Sequence, residues 1–143
     1  MKEIVAIDPG KSGAYSIFEG DQFVNVYYLD DFEDYRRIID YKPDAIIIEY
    51  VHAFPNQGTV SMFTFGYYTG IAIMTAMLAT ENVYKVDPTK WRRYFGLSKG
   101  KYAERKSNAY LEAKKYTSKV NLRTADAFLI GLYGIKALEL YKE

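Results

Sequence analysis

Three acidic residues stand where a globular sequence ordinarily places apolar ones. Asp8 closes the run Ile4-Val5-Ala6-Ile7, Glu49 closes Ala45-Ile46-Ile47-Ile48, and Asp126 lies in Thr124-Ala125-Asp126-Ala127 at the head of an apolar stretch. Taking a carboxylate out of water without a partner is expensive, so acids at such positions ask for a reason. Each has a purely structural one: Asp8 as a turn-former before Pro9-Gly10, Glu49 as a surface acid at a strand end, Asp126 as favourable charge in the first turn of a helix. The pair says more than either member. If the strands ending in Asp8 and Glu49 are parallel neighbours, both carboxylates emerge at one edge of the sheet, and like charges that close ionise together cheaply only beside a cation. The chain has no cysteine and one histidine, which excludes disulfides, thiol nucleophiles, Cys-rich zinc sites and multi-histidine metal centres. An all-carboxylate site suits a hard cation, Mg²⁺ above all with Mn²⁺ as a substitute. The chemistry such a site performs is phosphoryl transfer, in which two ions about 4 Å apart activate a water and stabilise the leaving oxygen.

The charge distribution points the same way. The net charge of +1 hides an asymmetry: residues 1–84 sum to −7, residues 85–123 carry 12 Lys/Arg against 3 Asp/Glu for +9, and residues 124–143 sum to −1. A basic block suits a polyanion as well as it suits a solvated charged face. Beside candidate phosphoryl-transfer acids the polyanion reading gains, and Lys90, Arg92, Arg93, Lys99, Lys101, Arg105, Lys106 and Arg123 become candidates to hold a phosphate backbone.

The elements that must position these residues follow from periodicity and turn signals. A length of 143 residues predicts one domain over 1–143, and 49% hydrophobic with 26% charged residues predicts a folded core rather than disorder. Glu3 to Asp8, Ser12 to Phe18 and Gln22 to Leu29 read as strands separated by Pro9-Gly10 and Glu19-Gly20-Asp21, an antiparallel meander. Asp31 to Tyr41 reads as an amphipathic helix, Asp44 to Tyr50 as a strand covered on both faces, and Val51 to Gly58 as a loop. A strand at Asn82 to Val86 follows, then helices at Thr89 to Phe95, Tyr102 to Tyr116 and Ala125 to Tyr141, the last capped by Thr124. The fold class is therefore α/β: a mixed five-stranded sheet, three strands antiparallel and two added in parallel through crossovers, with helices on both faces.

Val60 to Ala79 has no charged residue and the length of a membrane span. Its Ser, Thr and Tyr content, and a preceding flank without Lys or Arg, argue against a span, and an all-round apolar helix is also what a doubly covered core helix looks like. We expect no membrane partner. One side should cover the sheet and leave a second for a partner, with Gly66 and Gly70 on one face permitting close approach of another backbone. Met1-Lys2-Glu3-Ile4 carries an early acid and no long apolar run, so no signal peptide is expected and the cytoplasm is the expected compartment.

Ala6-Ile7-Asp8-Pro9-Gly10 with Ser12-Gly13-Ala14-Tyr15, then Ile46-Ile47-Ile48-Glu49-Tyr50-Val51, Val86-Asp87-Pro88-Thr89-Lys90-Trp91 and Ala125-Asp126-Ala127, in that order along nearly the whole chain, resemble RuvC-type Holliday junction resolvases of phage or bacterial kind. The resemblance implies an RNase H-like fold, a homodimer, and Mg²⁺-dependent cleavage of four-way DNA junctions by paired nicks with 5′-phosphate and 3′-hydroxyl ends. It makes Asp8, Glu49 and Asp126 ligands of two Mg²⁺ ions and gives Lys106 the place of a catalytic lysine; Lys90, Arg92 or Arg93 takes a second such place. An aromatic wedge that inserts at the junction centre falls on His52 or, two residues on, Phe54. The family's fourth coordinating residue, commonly three before the last aspartate, is replaced here by Arg123. A related nuclease acting on other branched or hybrid nucleic acids, and a non-catalytic junction binder, are the competing readings.

Overall fold

The computed structural model describes residues 1–51, 58–97 and 100–142. Five strands, β1 (Glu3–Asp8), β2 (Gly13–Glu19), β3 (Gln22–Leu29), β4 (Ala45–Glu49) and β5 (Val83–Val86), form one sheet in the order β3-β2-β1-β4-β5. β1, β2 and β3 make the expected antiparallel meander, and β4 and β5 add in parallel. Among the described residues five helices cover the sheet: α1 (Phe32–Tyr41), α2 (Thr59–Ala79), α3 (Pro88–Tyr94), α4 (Tyr102–Lys114) and α5 (Ala125–Lys136).

Side chains alternate across the sheet and divide the core in two. Ile4 and Ala6 of β1 and Ala45 and Ile47 of β4 pack with Phe18, Trp91, Ala109, Phe128 and Leu129, the layer of α3, α4 and α5. Val5, Ile7, Ile46 and Ile48 pack instead with Tyr35, Ile38, Ala72 and Ala76 of α1 and α2. Covered on both faces, β1 and β4 read as unbroken apolar runs. The two-residue period places the acids: Asp8 continues Ile4 and Ala6, and Glu49 continues Ala45 and Ile47, so both stand on the α5 side.

α5 is fixed against β2 at close range. A Cβ on Gly131 would collide with the Phe18 ring and approach the Ser16 hydroxyl to 2.8 Å, so only glycine lets the helix lie this near the sheet. The Ser16 hydroxyl donates to the Ala127 carbonyl at 2.7 Å inside the core, which anchors the residue next to Asp126. Two features of α5 correct the sequence expectation. Thr124 does not cap it: its backbone is already helical and its hydroxyl engages Asn121. The Asn121 side-chain oxygen accepts instead from the amides of Arg123 and Thr124, at 2.9 and 3.0 Å. The helix also stops at Lys136 rather than Tyr141, because Glu139 turns left-handed at φ 51° and the Leu140 amide donates back to the Gly134 carbonyl at 3.1 Å, burying Leu140 in the core.

α2 departs furthest from a doubly covered helix. It is long and apolar enough to cross a bilayer, yet its buried residues are the small side chains Thr69, Ala72, Thr75, Ala76 and Ala79 along a single side. The opposite side exposes Val60, Phe63, Met74, Met77 and Leu78. Gly66 and Gly70 belong to that open side, where an added Cβ would meet nothing within 4 Å, so close packing on the chain's own sheet is not what these glycines serve.

Candidate active site

Ile7 of β1 pairs with Ile48 of β4 in parallel register, which makes Asp8 and Glu49 the next rung, at the carboxyl ends of adjacent strands. After Asp8 the chain reverses tightly. The Gly13 amide donates to the Gly10 carbonyl at 3.2 Å, and a Cβ on Gly13 would lie 2.9 Å from the Asp8 carbonyl oxygen, so the sequence Asp8-Pro9-Gly10…Gly13 holds the acid at the strand's end. The first turn of α5 brings Asp126 over the same edge. The three acids are 9%, 8% and 3% exposed, buried to a degree that acidic side chains reach only when paired.

Glu49 and Asp126 find partners on α3 and α4. The Trp91 indole Nε1–H donates to Glu49 Oε2 at 2.6 Å. Arg92 Nη2 and Lys106 Nζ both donate to Asp126 Oδ2, at 3.2 and 3.1 Å, and the Arg92 guanidinium lies 4.4 Å from the Trp91 ring centroid. Asp126 Oδ1 is buried with no hydrogen-bond partner among the described residues, as is Arg92 Nη1.

The electrostatics follow from this crowding. Burial, then the charges of Asp126 and Glu49, push the Asp8 carboxyl well above the ordinary value of 3.8, with Lys106 and Arg92 opposing. Glu49 is raised by burial and by Asp126, against the pull of the Trp91 hydrogen bond. Burial would lower Lys106, but Asp126 and Asp8 outweigh it and hold the ammonium above its ordinary value. Among the described residues no three His, Cys, Asp or Glu side chains are grouped so that they could hold a metal ion as they stand. The donor set still fits a hard divalent ion, because it is all oxygen, includes one buried carboxylate oxygen without a partner among the described residues, and holds two carboxyls, Asp8 and Glu49, that burial and the neighbouring Asp126 charge keep from ionising freely.

Of the three basic residues considered for a place beside Asp126, Arg92 reaches it, while Lys90 and Arg93 are exposed on α3. Lys101 is exposed at the start of α4 and Arg105 is half-buried. Arg123 is occupied elsewhere: its guanidinium donates to the Gly13 and Leu29 carbonyls and to the Asp30 carboxylate at 3.1, 3.4 and 2.7 Å, and it stacks on Tyr28. Those partners tie the loop before α5 to the ends of β2 and β3. His52, Phe54 and Lys99 lie outside the described residues. Sequence reading assigned no role to Trp91, although the signal was present: a buried indole N–H requires an acceptor.

Comparison with solved structures gives the architecture a reference. The structure of T. thermophilus RuvC in complex with Holliday junction substrate matches 98% of this chain and 96% of its own, with a TM-score of 0.70 at 14% identity. The fold is that of RuvC. A second Thermus thermophilus RuvC structure matches 96% of each chain with a TM-score of 0.66 at 15% identity. No family model and no curated protein sequence matches. At this identity the RuvC likeness is one of backbone, and the case for chemistry rests on the carboxylates and their cationic partners.

Proposed function

We propose that this chain is a Mg²⁺-dependent, structure-specific endodeoxyribonuclease that resolves four-way DNA junctions by paired nicks, acting as a homodimer with one RNase H-like nuclease domain over residues 1–143 of each copy. The observation that carries this reading is the gathering of three buried acids, from β1, β4 and α5, with Lys106 and Arg92 at one edge of the sheet. The RuvC neighbour solved with a Holliday junction supports the choice of substrate.

In this proposal Asp8, Glu49 and Asp126 hold the metal, two Mg²⁺ or Mn²⁺ ions, which when bound supplies Lewis-acid activation of water and of the scissile phosphate. The protein's own side chains do the rest. Lys106 and Arg92, both on Asp126, are placed to exchange that carboxylate for a phosphate oxygen, so the site neutralises its own acids before DNA arrives and the DNA's charge afterwards. Exposed Lys90, Arg93 and Lys101 add attraction for the backbone without reading bases, with Lys99 and Arg105 in the same basic block. His52 or Phe54 serves as the wedge at the junction centre. The open side of α2 pairs with a second copy rather than with a bilayer, placing two sites on a substrate that is itself two-fold symmetric. The expected compartment is the cytoplasm.

The deciding measurement is cleavage of labelled four-way junction, duplex, flap and RNA/DNA hybrid substrates with and without Mg²⁺, with light scattering on the same preparation. Paired nicks confined to the junction and dependent on Mg²⁺ are expected. Preferential cutting of flap or hybrid would replace the substrate with another branched or hybrid nucleic acid; tight junction binding without cleavage would leave a binding protein.

A further inference from the structure

We propose that Trp91 is a positioning residue that sets the orientation of the Glu49 carboxylate through its indole N–H. This inference rests on the nuclease reading above and deepens it. The terminal torsion of a glutamate is broad, so a carboxylate at a strand end chooses its own rotation unless something holds an oxygen. Here the hold is built into the fold. Glu49 pairs with Val86 in the parallel register of β4 and β5, and the Tyr50 amide donates to the Val86 carbonyl at 2.9 Å, which locks the two strand ends together. The chain then turns into α3 at once, with Asp87 accepting from the Thr89 amide at 2.7 Å and Pro88 opening the helix. One turn later Trp91 returns over Glu49. Its side chain is fully buried, packed in the same apolar layer as Ile47 and Phe128, so packing holds the indole where its N–H donates to Oε2 at 2.6 Å.

The neighbouring residue extends the device. Arg92 stacks on the Trp91 ring and bonds Asp126, so two consecutive residues of one seven-residue helix orient two of the three acids. A core-filling role alone would be met by any large apolar ring. The N–H aimed at a carboxylate is what packing does not require, and groups that orient metal-binding side chains typically contribute about 10- to 100-fold to affinity or activity.

The test removes the donor and keeps the shape. L-3-benzothienylalanine at position 91 replaces the indole N–H with sulfur at nearly unchanged volume, and Trp91→Phe serves as a second variant. Mn²⁺ affinity is measured by electron paramagnetic resonance without DNA, alongside the Mg²⁺ concentration for half-maximal single-turnover cleavage and metal-free junction affinity. Both variants should need about 10-fold more cation in both assays while binding the junction like wild type. Wild-type cation affinity in the benzothienyl protein would overturn the proposal and reduce Trp91 to packing. Wild-type protein that binds Mn²⁺ yet leaves junctions uncut would overturn the nuclease reading alone, since the Mn²⁺ arm still measures the orientation of Glu49. Wild-type protein that binds no Mn²⁺ would overturn both.

Discussion

The edge that carries Asp8, Glu49 and Asp126 and the outer side of α2 break the inside–outside rule in opposite directions. At the first, charged groups are buried, Asp126 to 3% exposure; at the second, large apolar groups face outward, Phe63 at 75% and Met77 at 62%. The difference lies in compensation. Glu49 and Asp126 are answered within the chain by the Trp91 indole and by Lys106 and Arg92, whose charges also oppose that of Asp8, and the answer is incomplete in a specific way, with one Asp126 oxygen and one Arg92 nitrogen left without partners among the described residues. The outward apolar side of α2 continues past Gly70 and Leu78 to a cleft shared with Phe32 and Ile39 of α1, a patch of the kind that marks an interaction surface. A departure balanced inside the chain points to chemistry at that spot, and one left open points to a surface that another molecule completes.

The strongest way to break the first half of this comparison is Asp8→Asn. Changing a group that merely orients a ligand costs about 10- to 100-fold, so removing a ligand should lower single-turnover cleavage by more than about 100-fold, with junction affinity kept or improved because a negative charge near phosphate is gone. A variant retaining a tenth of the wild-type rate would remove Asp8 from the metal-binding set. The same substitution should stabilise the fold. With its folded value raised above 3.8, Asp8 binds protons more readily native than unfolded, so its contribution makes stability fall as pH climbs from that value through the raised one. Asn has no such slope. Its thermal midpoint should exceed wild type at neutral pH and converge with it in acid, a comparison that calorimetry at two pH values reads directly.

Removing a cation should do the reverse, with a smaller effect. Lys106→Met leaves Asp126 to Arg92 alone. Breaking a fully buried pair costs about 3–5 kcal/mol, but Lys106 is 27% exposed on its side chain and Asp126 keeps its second partner, so a loss of about 1–2 kcal/mol is expected. Junction affinity should weaken alike for all sequences, and its salt slope should fall by about 0.9 if one phosphate contact is lost. An unchanged slope with lowered stability would confine Lys106 to neutralising Asp126.

What the sequence revealed, and what it hid, divides along the same physical line. The mixed sheet was legible because β1 and β4 are apolar on both faces, and an acid ending such a run stands out in one dimension. The Trp91 partner was not, since it lies 42 positions from Glu49 and only packing brings the two together; Lys106, 20 positions from Asp126, was placed through the family resemblance and not by spacing. The cap of α5 was misassigned because Thr124 and Asn121 are both good caps by type, and the choice between them depends on a turn whose geometry tertiary contacts decide. Its early stop was hidden because Leu140 fits a helical apolar pattern equally well when the chain folds back to bury it. An uncovered side of α2 was expected, with Gly66 and Gly70 on one face of the helix, but the residues of the covered side were hidden for a different reason: an all-apolar helix carries no pattern to name them.

Gly70 offers the smallest expected effect and the sharpest sign. In the interior of an exposed helix, Gly→Ala gains about 1 kcal/mol in propensity, and here an added Cβ meets nothing within 4 Å, so within one chain the substitution can only help. If two copies meet across this side with their backbones close together, the same methyl keeps them apart. The two contributions separate by concentration, because association stabilises by an amount that grows with the logarithm of the partner concentration. Wild-type protein should therefore show a thermal midpoint that rises with protein concentration. Gly70→Ala should start higher in the dilute limit, by roughly 3–4 °C for 1 kcal/mol in a chain of this size, and then rise less or not at all. A wild-type midpoint independent of concentration, with Gly70→Ala more stable by the same margin throughout, would show that a second copy does not complete this surface.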